Sequence, residues 1–235
     1  MIEAEWWEYD TASEMAVAVA SDVGFIIGQA LDARGDAVAS FPGGKSPLPI
    51  FEKLAKAKLN WRRVTIVPGD DRLVEVSDPL SNVAVLARIF LPLGARVVPL
   101  VSASAADYHA AGAAAAARLS DLHWPLDLVW LGVGSDGHTA SIFPGPDLDA
   151  ALNAPTGRHA VGVMPDPLPA EAPVARVTLT RSAIASARTL LLTLSGDEKR
   201  TVVEQAIAEG DASRFPVGRV LAAVDKPVDL HWCPA

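Results

Sequence analysis

The chain has 235 residues, half of them hydrophobic, and a formal net charge of −8. That length and apolar content fit one α/β domain spanning 1–235 with a sizeable core. The acid excess and the absence of any Lys/Arg run argue against a nucleic-acid partner and an anionic membrane surface. A small anionic ligand stays open, because a local cluster of cations can oppose the global sign. Cys233 is the only cysteine, which excludes an intrachain disulfide and a cysteine zinc site. The N-terminal MIEAEWWEYD lacks the basic-then-apolar order of a signal peptide. The longest apolar runs are interrupted by Asp, Arg or Gly within about 18 residues. A cytoplasmic monomer is expected.

Elements alternate in type along the chain. Thr11 to Ala33 reads as a helix with Thr11 as N-cap and Gly35 as stop. A short strand at Asp36 to Phe41 leads into the turn-rich PGGKSP, and Leu48 to Ala57 returns to helix. Val64 to Val67 is a strand closed by Pro68 and Gly69, Ser81 to Leu91 is helical, and Val97 to Val101 is a third strand. Ala105 to Leu119 is an alanine-rich helix, alanine being the best helix former. Short strands follow at Ala160 to Val163 and Arg176 to Leu179, a buried one at Thr189 to Leu194, and a helix over Asp197 to Glu209. This order predicts a Rossmann-like, open, mostly parallel sheet with helices on both faces. Pro144 to Pro173, rich in Pro, Gly and Asn, is the candidate for a long excursion.

The most informative stretch is LDLVWLGVGSDGHTASIFPG, Leu126 to Gly145. Leu126, Leu128, Val129, Trp130 and Leu131 make a strand apolar enough to be covered on both faces. A glycine-rich turn then delivers His138 at a strand end, where open α/β sheets bind ligands. Gly132 to Gly137 matches GxGxxG, but Pro144 and Gly145 stop the helix that a dinucleotide fingerprint requires after about two turns. In PGGKSP, the amides of Gly43 and Gly44 and the charge of Lys45 suit an anion; the alternative is an ordinary turn. In Gly69-Asp70-Asp71-Arg72, a carboxylate can orient a histidine while the guanidinium grips phosphate; the alternative is a solvated turn. Ser81-Asn82 reads as an N-cap. Arg176 and Lys199 each read alone as surface cations. The other histidines, His109, His123, His159 and His231, share no metal spacing and are taken as surface or packing residues.

Together these pieces are recognisable. PGGKSP, GDDR, Ser81-Asn82, DGHTASIFP, RVTLT from Arg176 and GDEK ending at Lys199 resemble the 6-phosphogluconolactonase family, in one superfamily with glucosamine-6-phosphate deaminase. The deaminases continue from DGH toward Asn-Glu-Pro, whereas this chain continues Thr139-Ala140-Ser141-Ile142-Phe143-Pro144. Two motifs depart from the family: PGGKSP stands for SGGSTP, with Pro42 and Lys45 in place of small hydroxyl residues, and Asp71 stands for the Glu of DER. The resemblance implies hydrolysis of 6-phospho-D-glucono-1,5-lactone without cofactor or metal. His138 is then expected to take a proton from the attacking water and Asp70 to hold the imidazole. Gly134 and Gly137 supply oxyanion amides. Arg72, Lys199, Gly43, Gly44 and Lys45 bind the phosphate, with Arg176 a weaker candidate. Three rival readings are a sugar-phosphate isomerase-deaminase with Asp70 as base, a non-catalytic sugar-phosphate sensor and a nucleotide-dependent dehydrogenase.

Overall fold

The computed structural model describes residues 2–102 and 107–235. The strands are Ala4–Glu8 (β1), Ala37–Phe41 (β2), Val64–Pro68 (β3), Asp70–Arg72 (β4), Arg96–Val97 (β5), Leu128–Gly132 (β6), Ala160–Val163 (β7), Arg176–Leu179 (β8), Thr189–Ser195 (β9) and Val228–Cys233 (β10). The α-helices are Ala12–Arg34 (α1), Leu48–Leu54 (α2), Asn82–Phe90 (α3), Tyr108–Leu119 (α4), Leu148–Leu152 (α5), Arg181–Ser186 (α6), Asp197–Glu209 (α7) and Pro216–Leu221 (α8). The expected start of α4 at Ala105 lies outside the described residues.

Local chemistry sets the helix ends. Thr11 Oγ1 accepts from the Glu14 N–H at 3.2 Å, and the Glu14 carboxylate accepts from the Asp10 N–H, so two otherwise unpaired amides are used at the start of α1. By length and composition α1 would suffice to cross a membrane, against the sequence-based expectation. Here its apolar face is part of the core: Met15, Val19, Val23 and Ile27 are buried against the sheet and α2.

Seven strands form the main sheet in the order β1-β10-β9-β6-β2-β3-β5, and every neighbouring pair is parallel. This confirms the doubly covered sheet read from the chain. Side chains alternate between its faces. Leu128 and Trp130 of β6 join one core with α1, α2 and α3, while Val129 and Leu131 join the other with α4, α7 and α8. From β2 the chain builds outward through β3 and β5, and from β6 outward the opposite way through β9 and β10. The crevice between the carboxyl ends of β2 and β6 is therefore a topological switch point.

A second sheet was not foreseen. β4, β8 and β7 pair antiparallel, and the Leu179 N–H donates to Gly69 O at 2.9 Å, tying this sheet to the end of β3. Alternation along the sequence suggested that Arg176–Leu179 would extend the parallel sheet. Instead it walls one side of the crevice.

Candidate active site

A cavity of about 700 Å³ opens at the switch point. Gly43 and Gly44 after β2, Asp70 and Arg72 of β4, Gly134 and His138 after β6, Arg176 of β8 and Lys199 of α7 all contribute to its wall. Side chains spread over most of the sequence meet there because β2, β6 and β9 end at the same sheet edge, which β4 and β8 wall on one side.

His138 is held by its own turn. Asp136 Oδ1 accepts from the His138 backbone N–H at 3.1 Å and lies 2.5 Å from His138 Nδ1. This is an Asx-type turn closed a second time through the ring. Burial pushes the Asp136 carboxyl up, but the hydrogen bonds and charge supplied by His138 outweigh it and hold the group below the ordinary carboxylate range. With the Nδ1 proton directed at Asp136, Nε2 is left as the acceptor, and it has no partner among the described residues. One face of the imidazole stacks on Phe143, with centroids 4.1 Å apart. Gly134 lies against the ring so closely that a Cβ there would come within 2.3 Å of it. A side chain at position 134 would displace the imidazole.

Asp70 does not hold the imidazole, contrary to expectation. Its carboxylate, 6% exposed, accepts from Ser141 Oγ at 2.5 Å and faces Asn82 Nδ2 at 3.4 Å. Asp136 lies two residues from the histidine, whereas Asp70 arrives from another strand, and the local partner takes Nδ1. Asp136 was missed although DGH places it two residues before the histidine. The signal was the Asp-Gly-X spacing that favours a side chain folding back on the backbone.

The amides expected as oxyanion donors are not free. The Gly134 N–H donates to His138 O and the Gly137 N–H to Gly134 O, at 2.9 and 3.0 Å. Both amides are used inside the turn. Ser135, whose N–H has no partner among the described residues, lies at the cavity instead. Lys45 is exposed and is not part of the cavity wall, because the loop carries it outward from Gly44. Gly43 is needed for another reason: a Cβ would come within 2.2 Å of the Asn82 side chain.

Asn82 is a junction that sequence reading treated as a simple cap residue. It is buried, its Nδ2 donates to Asp70 O at 2.8 Å, and its Oδ1 accepts from Arg72 Nη1 at 2.5 Å. Asp71 holds Asn82 in place by accepting from the N–H groups of Asn82 and Val83, at 2.6 and 3.1 Å. Burial raises the Asp71 carboxyl to about 6 despite these donors. Asp71 thus anchors the N-terminus of α3, and its departure from the family pattern falls on a structural position.

The cations are the most telling part. Arg72 and Arg176 stand directly opposite each other in the antiparallel pair of β4 and β8. Like charges in that position repel. Arg176 is only 4% exposed, and neither arginine has a carboxylate within ion-pairing distance among the described residues. Both Nε atoms are buried without a hydrogen-bond partner. Burial pulls the Arg176 guanidinium below its ordinary value, with Asp70 opposing and Arg72 reinforcing the shift. A buried and a half-buried guanidinium that repel each other, with no carboxylate partner among the described residues, are stabilised by an anion between them. Arg176, read alone as a surface cation and by resemblance as a weaker phosphate candidate, is buried in the cavity wall. Lys199 sits in the first turn of α7, which is held by Trp232 Nε1 donating to Gly196 O at 3.1 Å.

The family model for glucosamine-6-phosphate isomerases/6-phosphogluconolactonase matches residues 10–232. A 6-phosphogluconolactonase of Rhizobium meliloti is 36% identical over 230 residues, covering 96% of this chain and 97% of its own length. One of Pseudomonas putida is 36% identical over 231 residues, covering 97% and 92%. The crystal structure of a 6-phosphogluconolactonase from Shewanella baltica superposes with a TM-score of 0.89 at 34% identity, covering 99% of both chains. With the family model spanning residues 10–232, relatives 36% identical over nearly the full length and the fold superposed, the chain belongs to the glucosamine-6-phosphate isomerase/6-phosphogluconolactonase family.

Proposed function

We propose that this protein hydrolyses 6-phospho-D-glucono-1,5-lactone to 6-phospho-D-gluconate. The observation that carries the reading is a histidine, oriented through Nδ1 by Asp136, in the same cavity as two cross-strand arginines that lack carboxylate partners among the described residues. Such a site combines a general base with fixed positive charge for a phosphorylated substrate.

His138 Nε2 takes a proton from water as its oxygen bonds to C1 of the lactone. The negative charge that develops on the carbonyl oxygen is met by the Ser135 N–H and by the cations of the cavity. The imidazolium, stabilised by Asp136, then returns the proton to the ring oxygen as the C1–O5 bond breaks. The product is an open-chain acid carrying a carboxylate and a phosphate. Arg72, Arg176, Lys199 and the amides of Gly43 and Gly44 hold the anionic groups, so binding energy remote from C1 places the ester carbon beside the base. All steps are proton transfers and acyl chemistry on a reactive cyclic ester.

The test is a coupled assay in which glucose 6-phosphate dehydrogenase generates the lactone and acid release is followed with and without the protein. Acceleration above spontaneous ring opening is the expected result. A rate equal to that background would overturn the assignment.

A further inference from the structure

Asp71 lies outside the cavity and yet holds two residues of its wall. It is 1% exposed, and strand alternation turns its side chain away from the face of β4 that presents Asp70 and Arg72. Its carboxylate accepts on both oxygens. Oδ1 takes the N–H groups of Arg72 and Asn82 at 2.9 and 2.6 Å, and Oδ2 takes the Val83 N–H at 3.1 Å and faces Ser81 Oγ at 3.5 Å. Three of these partners are backbone amides that can only donate. Ser81 Oγ is itself the N-cap acceptor for the Ala84 N–H. The site is built for an acceptor without a proton. A protonated carboxyl would set an O–H against groups that have no lone pair to offer.

Arg72 is tied to this carboxylate at both ends. Its backbone N–H donates to Asp71 directly. Its Nη1 donates to Asn82 Oδ1 at 2.5 Å, and Asn82 is seated by its own N–H on Asp71. We propose that Asp71 is the positioning residue for Arg72, acting through Asn82, and that its ionised form is required for tight binding of the phosphorylated substrate but not for the proton transfers at His138. The inference rests on the hydrolytic reading for the identity of the substrate. It goes further in placing control of substrate affinity on a residue outside the cavity.

Few charges surround Asp71. Asp70 precedes it on β4 and opposes its ionisation, and Arg72 follows it. β8 brings Val177 directly opposite, with Arg176 paired to Arg72 and Thr178 to Asp70. α3 and its cap bring Ser81, Asn82 and Val83, none of them ionisable. Burial, the largest influence, lifts the carboxyl to about 6 against the pull of the amides. Above that pH the group is the acceptor its surroundings need. Below it the added proton loosens Asn82 and, through it, Arg72, so KM rises on acidification.

The experiment measures lactone kinetics of the wild type, Asp71→Asn and Asp71→Glu at about pH 8 and about pH 5, where the ratio of variant to wild type cancels the titration of the substrate phosphate. At the higher pH, Asp71→Asn should raise KM by about fivefold or more and leave kcat within about twofold. Asp71→Glu keeps a carboxylate and should return KM to within about twofold of the wild type. At the lower pH the Asp71→Asn ratio in KM should shrink to below about twofold, because the wild-type carboxyl is then protonated. An unchanged KM in Asp71→Asn, a loss in kcat alone, no rescue by Asp71→Glu, or a ratio constant with pH would overturn the inference. If Asp71→Asn does not fold, nitrogen NMR of ligand-free His138→Ala protein decides, with the imidazole removed from the titration. The Asn82 Nδ2 and Arg72 Nε signals should move together with a midpoint near about 6; signals that stay fixed across that range would overturn it. This measurement needs no turnover, so a wild-type rate at the spontaneous background counts against the hydrolytic reading alone.

Discussion

Two histidines of this molecule have similar neighbours and opposite uses. His138 Nδ1 meets the Asp136 carboxylate at 2.5 Å, and its ring stacks on Phe143. His231 Nδ1 meets the Tyr9 hydroxyl at 2.8 Å, and its ring lies near-parallel to those of Trp7 and Tyr9. The difference lies in the sign of the partner and in access. His138 has a carboxylate partner and lines an open cavity. His231 is 1% exposed with a neutral partner, and burial drives its pKa down to about 4. A hydrogen bond and an aromatic neighbour do not make a base; a carboxylate and a route to substrate do.

The largest expected effect breaks the comparison at its catalytic end. His138→Ala should lower kcat by about 10²- to 10⁴-fold while 6-phosphogluconate still binds, and wild-type turnover in that variant would remove the base assignment. Asp136→Asn should lower kcat by roughly 10²-fold, because the amide neither fixes the useful tautomer nor stabilises the imidazolium. Asp70→Asn should affect turnover less than Asp136→Asn, since Asp70 contacts Ser141 and Asn82 and not the ring; the reverse ranking in steady-state kinetics would restore Asp70 as the orienting carboxylate.

Arg72→Ala should raise KM by about tenfold or more, as expected for loss of charge-assisted bonds to the substrate anion. An unchanged KM would exclude Arg72 from the site.

The smallest effect on turnover belongs to His231. Its folded pKa, about 4, lies below the unfolded value, so the unfolded state binds the extra proton. This contribution to stability is present above pH ~6.5 and is lost as pH falls through that value toward about 4, with a slope of up to about 1.4 kcal/mol per pH unit. His231→Gln should flatten the acid limb of chemical-denaturation stability over that window and leave kcat unchanged. An acid limb identical to wild type would show that His231 is not the titrating group.

Much of the fold was readable in order along the chain. The limits of α7, the capping of α1 by Thr11 and the strands at Val64, Arg176 and Thr189 all follow from local pattern. β1 and β10 were not seen: β1 alternates but is largely exposed at the sheet edge, and its signal appears only when Glu3 O and its own backbone meet β10. β4 is three residues of charge, DDR, which no periodicity marks as a strand. The site divides the same way. His138 stood out because glycine-rich turns and strand ends are local features. Arg176 did not, because nothing in its own neighbours reveals that Arg72 will be placed opposite it.

What the amino-acid order determined by itself was therefore the alternation of helix and strand, the turn that presents His138 and the presence of the motifs at strand ends. Those depend on contacts within a few residues, which a linear chain displays. Tertiary structure alone decided the antiparallel wall of β4, β8 and β7, the exclusion of Lys45 from the cavity, the diversion of Asp70 to Ser141, and the facing arginines. Each depends on which distant segment arrives alongside, and that is settled by burial and pairing of the whole sheet rather than by any residue's immediate neighbours.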